Sequence, residues 1–148
     1  VNGEPQGRGK LKKADRSTVE GSFSSGVPHG ACRVVSADGS RIFIGTIRKG
    51  AMTAGSLTIV RKIQRLGSNG QKEDEEEEHD EYTGAFERDV PCGRGKLVSS
   101  NGDVYVGNFQ NGKYDGPGDW LIKKSGITLR GTFSAGIPCG AGAAILPN

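Results

Sequence analysis

The chain has 148 residues, of which 25 are glycine, while Val, Ile, Leu and Phe together supply only 31. That is length for one ordinary domain and too little apolar side chain for a large multilayer core. Lys and Arg number 20 against 17 Asp and Glu, but eight of the acids lie between Glu73 and Glu81, so the remainder carries 20 against 9, a basic body with one acidic stretch.

No apolar stretch approaches the ~18 residues of a membrane-spanning helix, and nothing at the N-terminus reads as a signal peptide, so a cytoplasmic location is expected. The chain opens on Val1 rather than Met, as a fragment or a renumbered piece would. Cys32, Cys92 and Cys139 are widely spaced with no CxxC, which gives neither a disulfide framework nor a zinc site and fits a reducing compartment.

Glycine sets the organisation, in units that follow one another along the whole chain. Residues 1–18 are a partial unit holding Gly3, Gly7 and Gly9. Residues 19–42 run from Val19-Glu-Gly-Ser-Phe23 through Gly26 and Gly30 to Cys32, in the place of a third glycine, and close at Gly39. Residues 43–81 start with Phe43-Ile-Gly-Thr-Ile47, take Ser56 as the third-glycine substitute, and carry an insertion over 61–80. Residues 82–104 give Tyr82-Thr-Gly-Ala-Phe86, then Asp89 for the first glycine, with Gly93, Gly95 and a closing Gly102. Residues 105–128 repeat this as Tyr105-Val-Gly-Asn-Phe109, Gly112, Gly116, Gly118 and Gly126. Residues 129–148 have Leu129-Arg-Gly-Thr-Phe133 and Gly136, Gly140 and Gly142, with no closing turn.

This lattice takes 22 of the 25 glycines, and the exceptions Gly55, Gly67 and Gly70 share the third unit, which argues against disordered low complexity. Aromatic, Gly and aromatic at i, i+2 and i+4 share one face of a strand. GxxxG with Pro28, Pro91 or Pro138 at its centre is expected to form the turn, and the GxG that follows to begin the return strand, so each unit is a β-hairpin. Glycine within a strand marks a place where something must approach closely. The Tyr and Phe rings of one unit are therefore expected to cover the glycines of a neighbour, so that repeats bury faces none could bury alone.

The pattern YxGxFxxGxxxGxG, followed by a spacer and Gly, resembles the MORN repeat (membrane occupation and recognition nexus). Gly93 to Gly142 matches closely, and Tyr82 to Gly93 and Gly3 to Gly50 match with substitutions; Val19, Ile47 and Leu129 depart at aromatic positions. The resemblance implies an all-β, elongated single antiparallel sheet of successive β-hairpins spanning 1–148. It also implies use as a scaffold or partner-binding groove, at times dimerising end to end through terminal repeats.

In the insertion, Ser68-Asn69-Gly70 separates a basic arm (Arg61, Lys62, Arg65) from the acidic run. A hairpin with oppositely charged arms is one reading. A solvated loop over Lys72 to Asp80 is the expected one, because runs of like charge repel.

No catalytic, metal or cofactor site is expected. His29, Cys92, Asp115 and Cys139 share one slot of GxxxG, but successive hairpins advance the sheet by roughly 9 to 10 Å, too far for a common ligand or a disulfide. The GxG copies lack the residues that would complete a phosphate loop, and no recognised nucleic-acid module is present. Tyr82, Phe86, Tyr105, Phe109, Trp120 and Phe133 form a candidate aromatic row for gripping an extended partner. Phe133, Ile145 and Leu146 are expected to leave the C-terminal edge in need of a cap, a second copy or another component of the assembly. Lys10, Lys12, Lys13, Lys123 and Lys124 are candidate contacts for an acidic partner.

The expected function is a non-enzymatic scaffold or protein-interaction module in a larger assembly, cytoskeletal or ciliary/flagellar among common uses of the family. The rival readings are a membrane-targeting module for acidic phospholipids and the regulatory segment of a larger enzyme. Nucleic acid is not an expected partner.

Overall fold

Tyr105, Gly107 and Phe109 are buried while Val106 between them is open to solvent, and Val19, Gly21 and Phe23 repeat that alternation. This is the period of two read from the sequence, and it puts the apolar side chains of every hairpin on one face. A computed structural model describes residues 7–147, apart from the side chains of Glu73 and Asp74. The described strands are β1 (Gly7–Lys12), β2 (Thr18–Ser24), β3 (Val27–Val35), β4 (Arg41–Arg48), β5 (Ala51–Leu66), β6 (Lys72–Glu87), β7 (Val90–Val98), β8 (Val104–Gln110), β9 (Lys113–Ile122), β10 (Ile127–Ser134) and β11 (Ile137–Ile145). They form one open antiparallel sheet of 11 strands whose spatial order is the chain order. The all-β, single-sheet reading therefore holds.

The register explains the glycine lattice. Gly9 pairs with Gly21, Gly21 with Cys32, Cys32 with Gly45, and the row continues through Gly55, Gly84, Gly95, Gly107, Gly118 and Gly131. Gly142 of β11 abuts Gly131 beyond it. One line of glycine thus crosses the sheet at a single level, interrupted among these residues by Cys32. Gly55 belongs to this line, which corrects its reading as an exception and the assignment of its place to Ser56. The β4–β5 register shifts between Thr46 and Ile47, so counting from Gly50 misplaces the position by one residue.

Rings reach over the line from strands two apart. Phe43 meets Phe86 at 5.2 Å, Tyr82 meets Phe109 at 4.9 Å, and Tyr105 meets Phe133 at 5.2 Å, all edge to face. Each such pair is worth about 0.5–1.5 kcal/mol beyond its buried area. The tyrosines that cover glycines, however, do so within their own hairpin, whereas the Phe23 ring lies over Gly9 of the unit before it, as expected. The Tyr105 ring lies against both Gly107 and Gly118, and Tyr82 against Gly84 and Gly95. A tyrosine leaning along its own strand reaches residue i+2, and its hydroxyl anchors there: Tyr82 donates to the Ala85 carbonyl at 2.6 Å and Tyr105 to that of Asn108 at 2.9 Å.

The tight turns also sit elsewhere than expected. Their central pairs are Ser25-Gly26, Lys49-Gly50, Arg88-Asp89, Asn111-Gly112 and Ala135-Gly136, each with positive φ at both residues, the geometry of a two-residue type I′ hairpin. Only the first glycine of GxxxG is at the tip. Proline lies in the return strand, Pro28 opposite Phe23, Pro91 opposite Phe86 and Pro138 opposite Phe133. The second glycine, such as Gly30 at φ 109°, accompanies a register shift of the β-bulge kind.

The insertion is ordered, which corrects its reading as a solvated loop. β5 and β6 pair from Ala54 with Ala85 to Leu66 with Lys72 and run beyond both neighbouring strands as a two-stranded ribbon. The like charges repel along β6, but across the pair Glu78 and Glu77 face Arg61 and Lys62, Asp80 and Glu76 face Ile59 and Ile63, and Glu75 faces Gln64. Arg61 bridges Asp80 and Glu78, and Arg65 meets Glu76 at 2.8 Å.

Candidate partner-binding surfaces

The six rings of the candidate row do share one face, and their mutual packing consumes them. Tyr82, Phe86, Tyr105, Phe109 and Phe133 are all buried, and Trp120 alone of the six is half-open. A partner has little of that row left to grip. Burial pushes the Tyr82 hydroxyl, with a smaller contribution from the Cys92 charge, up to about 12. Tyr114, which the sequence reading passed over, stacks on Tyr105 at 3.8 Å with rings 6° apart and adjoins Trp120 at 6.1 Å. It occupies the place of Pro28, Pro91 and Pro138 in the other hairpins, and that replacement was the available signal.

At the C-terminal edge the expected trio divides. Phe133 needs no further hairpin, because Tyr105, Tyr114 and Trp120 of the preceding one cover it to 2% exposure. Ile145 and Leu146 are open, as is Ile137. All of β11 is exposed, and between β10 and β11 a hollow of about 200 Å³ opens over Gly131 and Gly142.

Lys10, Lys12, Lys13, Lys123 and Lys124 are exposed but fall into two groups, at the β1–β2 and β9–β10 ends of the sheet. Both groups are on the end from which the β5–β6 ribbon projects, so the acidic ribbon stands between them. Its base is fastened to the β7–β8 turn. Asp80 accepts from the Ser100 amide at 2.9 Å, and Arg61 donates to Asp80 and to the Ser100 hydroxyl at 3.2 Å. Burial raises the Asp80 carboxyl, but the Arg61 hydrogen bond, the Ser100 amide and the Arg61 charge outweigh it and hold the pKa below the ordinary 3.8.

The slot shared by His29, Cys92, Asp115 and Cys139 does couple hairpins, though not through a ligand. His29 Nδ1 accepts from the Lys49 amide at 3.2 Å and Asp115 from that of Ala135 at 3.4 Å. Beside them the Gly50 amide donates to the Pro28 carbonyl, Gly112 to Pro91 and Gly136 to Tyr114, at 2.9 to 3.0 Å. The tight turns at Gly50, Gly112 and Gly136 are thereby locked to the hairpin before them. The three cysteines are free thiols, Cys32 buried and Cys139 exposed.

A single sheet of consecutive hairpins with a recurring ring-and-glycine register defines a β-repeat protein. The MORN repeat family model matches residues 1–18, 20–41, 82–104 and 105–120, and the chain belongs to that family. The unmatched stretches hold the inserted third unit and the end of the array. No curated protein matches the chain. MORN repeats mediate protein or membrane interactions and form a generally non-enzymatic module.

Proposed function

We propose that this array is a scaffold that joins protein components of a larger assembly, in the cytoplasm and in the cytoskeletal or ciliary setting common for the family. The observation that carries the choice of protein over lipid is the ribbon. From Val60 to Asp80 it holds seven acids against four Lys and Arg, and it projects between the two lysine groups. At about 3.3 Å per residue it reaches roughly 20 Å past its neighbours. A flat anionic bilayer approaching that end meets acidic side chains before it can meet both sets of lysines, and like charges repel.

The experiment is flotation of the protein with phosphoinositide-containing vesicles at physiological salt. Little retention is expected. Strong retention that falls as salt rises would replace the scaffold reading with the lipid one.

A further inference from the structure

The β5–β6 ribbon has two edges of its own, and they owe nothing to where the sequence begins or ends. β4 starts at Arg41 and β7 stops at Val98, and each is closed there by a turn, over 36–41 and 99–103. Beyond those turns no described strand pairs with either side of the ribbon. Which backbone groups lie open follows by alternation. The Val60 amide donates to the Ser40 carbonyl at 2.7 Å, so Val60 points its backbone toward β4, while Arg61 and Ile63 point theirs toward β6. Their partners Glu78 and Glu76 face back across the pair. Glu75, Glu77 and His79 are left with amide and carbonyl groups directed outward from β6, on the side where β7 pairs lower down.

The side chains along that edge select what completes it. Glu75, Glu76 and Glu77 are each more than half exposed. Lys62 meets Glu75 at 3.8 Å and Arg65 meets Glu76, but among the described residues Glu77 has only the His79 imidazole, at 3.6 Å, within ion-pair distance. An open strand edge is completed by another backbone, which neither a nucleic acid nor a lipid headgroup supplies, and an acidic edge repels both. The fitting occupant is a polypeptide, and a cationic one.

We infer that the outer edge of β6 over 75–79 takes a Lys- or Arg-rich extended segment of a partner protein as an added strand, above the place that β7 holds lower down. The inference rests on the scaffold reading and names the chemistry of the partner and where it attaches. Cations opposite acids across paired strands attract, so β6 would then lie between two basic strands instead of one.

A second copy of this chain is a poor occupant. Related by a two-fold axis, two ribbons meet β6 to β6 or β5 to β5, acid against acid or basic arm against basic arm, and like charges opposed across a pair destabilise it. Side by side in one orientation, the strands after the ribbon in one copy collide with those before it in the other.

The test titrates the whole chain, at physiological salt, with a fluorescent end-blocked peptide alternating Lys and Val over about seven residues, long enough to span the open edge. Polarisation reads affinity and amide exchange reads position. Saturable binding is expected, with slowed exchange at the outward amides of Glu75, Glu77 and His79. The same peptide with every backbone amide methylated keeps its charge and loses the ladder bonds, and is expected to bind about tenfold more weakly or worse. Glu75→Gln combined with Glu77→Gln is expected to weaken binding of the parent peptide similarly while leaving the thermal midpoint in place, since both side chains are exposed. Absence of binding at millimolar peptide, equal binding of the methylated peptide, unchanged affinity in the double variant, protection elsewhere, or self-association that protects 75–79 without peptide would each overturn the inference. Protein that ignores both this peptide and anionic vesicles refutes the edge and leaves the scaffold reading standing.

Discussion

The ring of Tyr105 rests on the bare α-carbon side of Gly118: a β-carbon there would lie 2.5 Å from the ring's Cζ. Tyr105 is fully buried and its hydroxyl is tied to Asn108, so the ring has nowhere to withdraw. Gly118→Ala is expected to cost about 1–3 kcal/mol through overpacking. Gly107→Val, against the Gly118 backbone as well as Tyr105, is expected to cost more. Gly9→Ala is the control, because its β-carbon would find Phe23 at an ordinary 3.6 Å and its φ is not in the left-handed region. Chemical denaturation of the three variants checks the order.

Asp89 holds the tight-turn place that glycine fills in the other hairpins, at φ 63°, and its carboxylate accepts from the Met52 amide at 2.9 Å. Asp tolerates that backbone and supplies the bond. Asp89→Ala loses both and is expected to lower stability by about 1–2 kcal/mol, whereas Asp89→Asn keeps most of it. Thermal midpoints of the pair decide the matter.

Tyr82 provides a pH test. Its folded pKa of about 12 lies above the ordinary 10, so the neutral form is favoured by folding. The stabilisation is fully present below pH 10 and is lost as pH rises through about 12. Tyr82→Phe is expected to remove that part of the alkaline loss and to cost about 1 kcal/mol at neutral pH for the missing bond to Ala85. Unfolding curves of both proteins between neutral and strongly alkaline pH measure the difference.

Much of the architecture could be read before any coordinates, because Tyr82-Thr-Gly-Ala-Phe86 and its copies encode face by simple alternation. The turn was misplaced because the two glycines of GxxxG look equivalent in sequence: Gly26 takes the tip and Gly30 a bulge, and only backbone angles separate the roles. The target of the tyrosine rings is a glycine of their own hairpin because a lean from Tyr105 toward Gly107 is set by the hydroxyl bond to Asn108, which no spacing displays. The candidate row was legible as a set of neighbours but not as a core. Burial depends on how closely strands two apart can bring their rings, and that follows from the glycine line crossing between them.

The ribbon was misread for a different reason. Charge counted along Glu73 to Glu81 says repulsion, whereas pairing sets Glu78 opposite Arg61 and Glu77 opposite Lys62. Exposed ion pairs are worth little singly, so Arg61→Ala is expected to change global stability by no more than about 1 kcal/mol. Local order should respond more. Exchange protection over 60–66 and 75–80 is expected to fall, and the Ser100 amide shift, which in the parent titrates with Asp80 below pH 3.8, is expected to titrate higher. Removing Arg61 takes away the hydrogen bond and charge that favour the carboxylate, so its stabilising contribution is lost earlier as pH falls.

The strands lie in the sheet in the order they leave the ribosome; the backbone pairs only successive strands, and ring contacts reach one strand further, to the next hairpin. Energy in such a stack is a sum of nearest-neighbour terms, with no long-range closure to hold the ends. Pulled at its two ends, the described sheet would come apart one hairpin at a time. A tether built this way gives length under load in steps of about twenty residues while the remaining hairpins keep their shape.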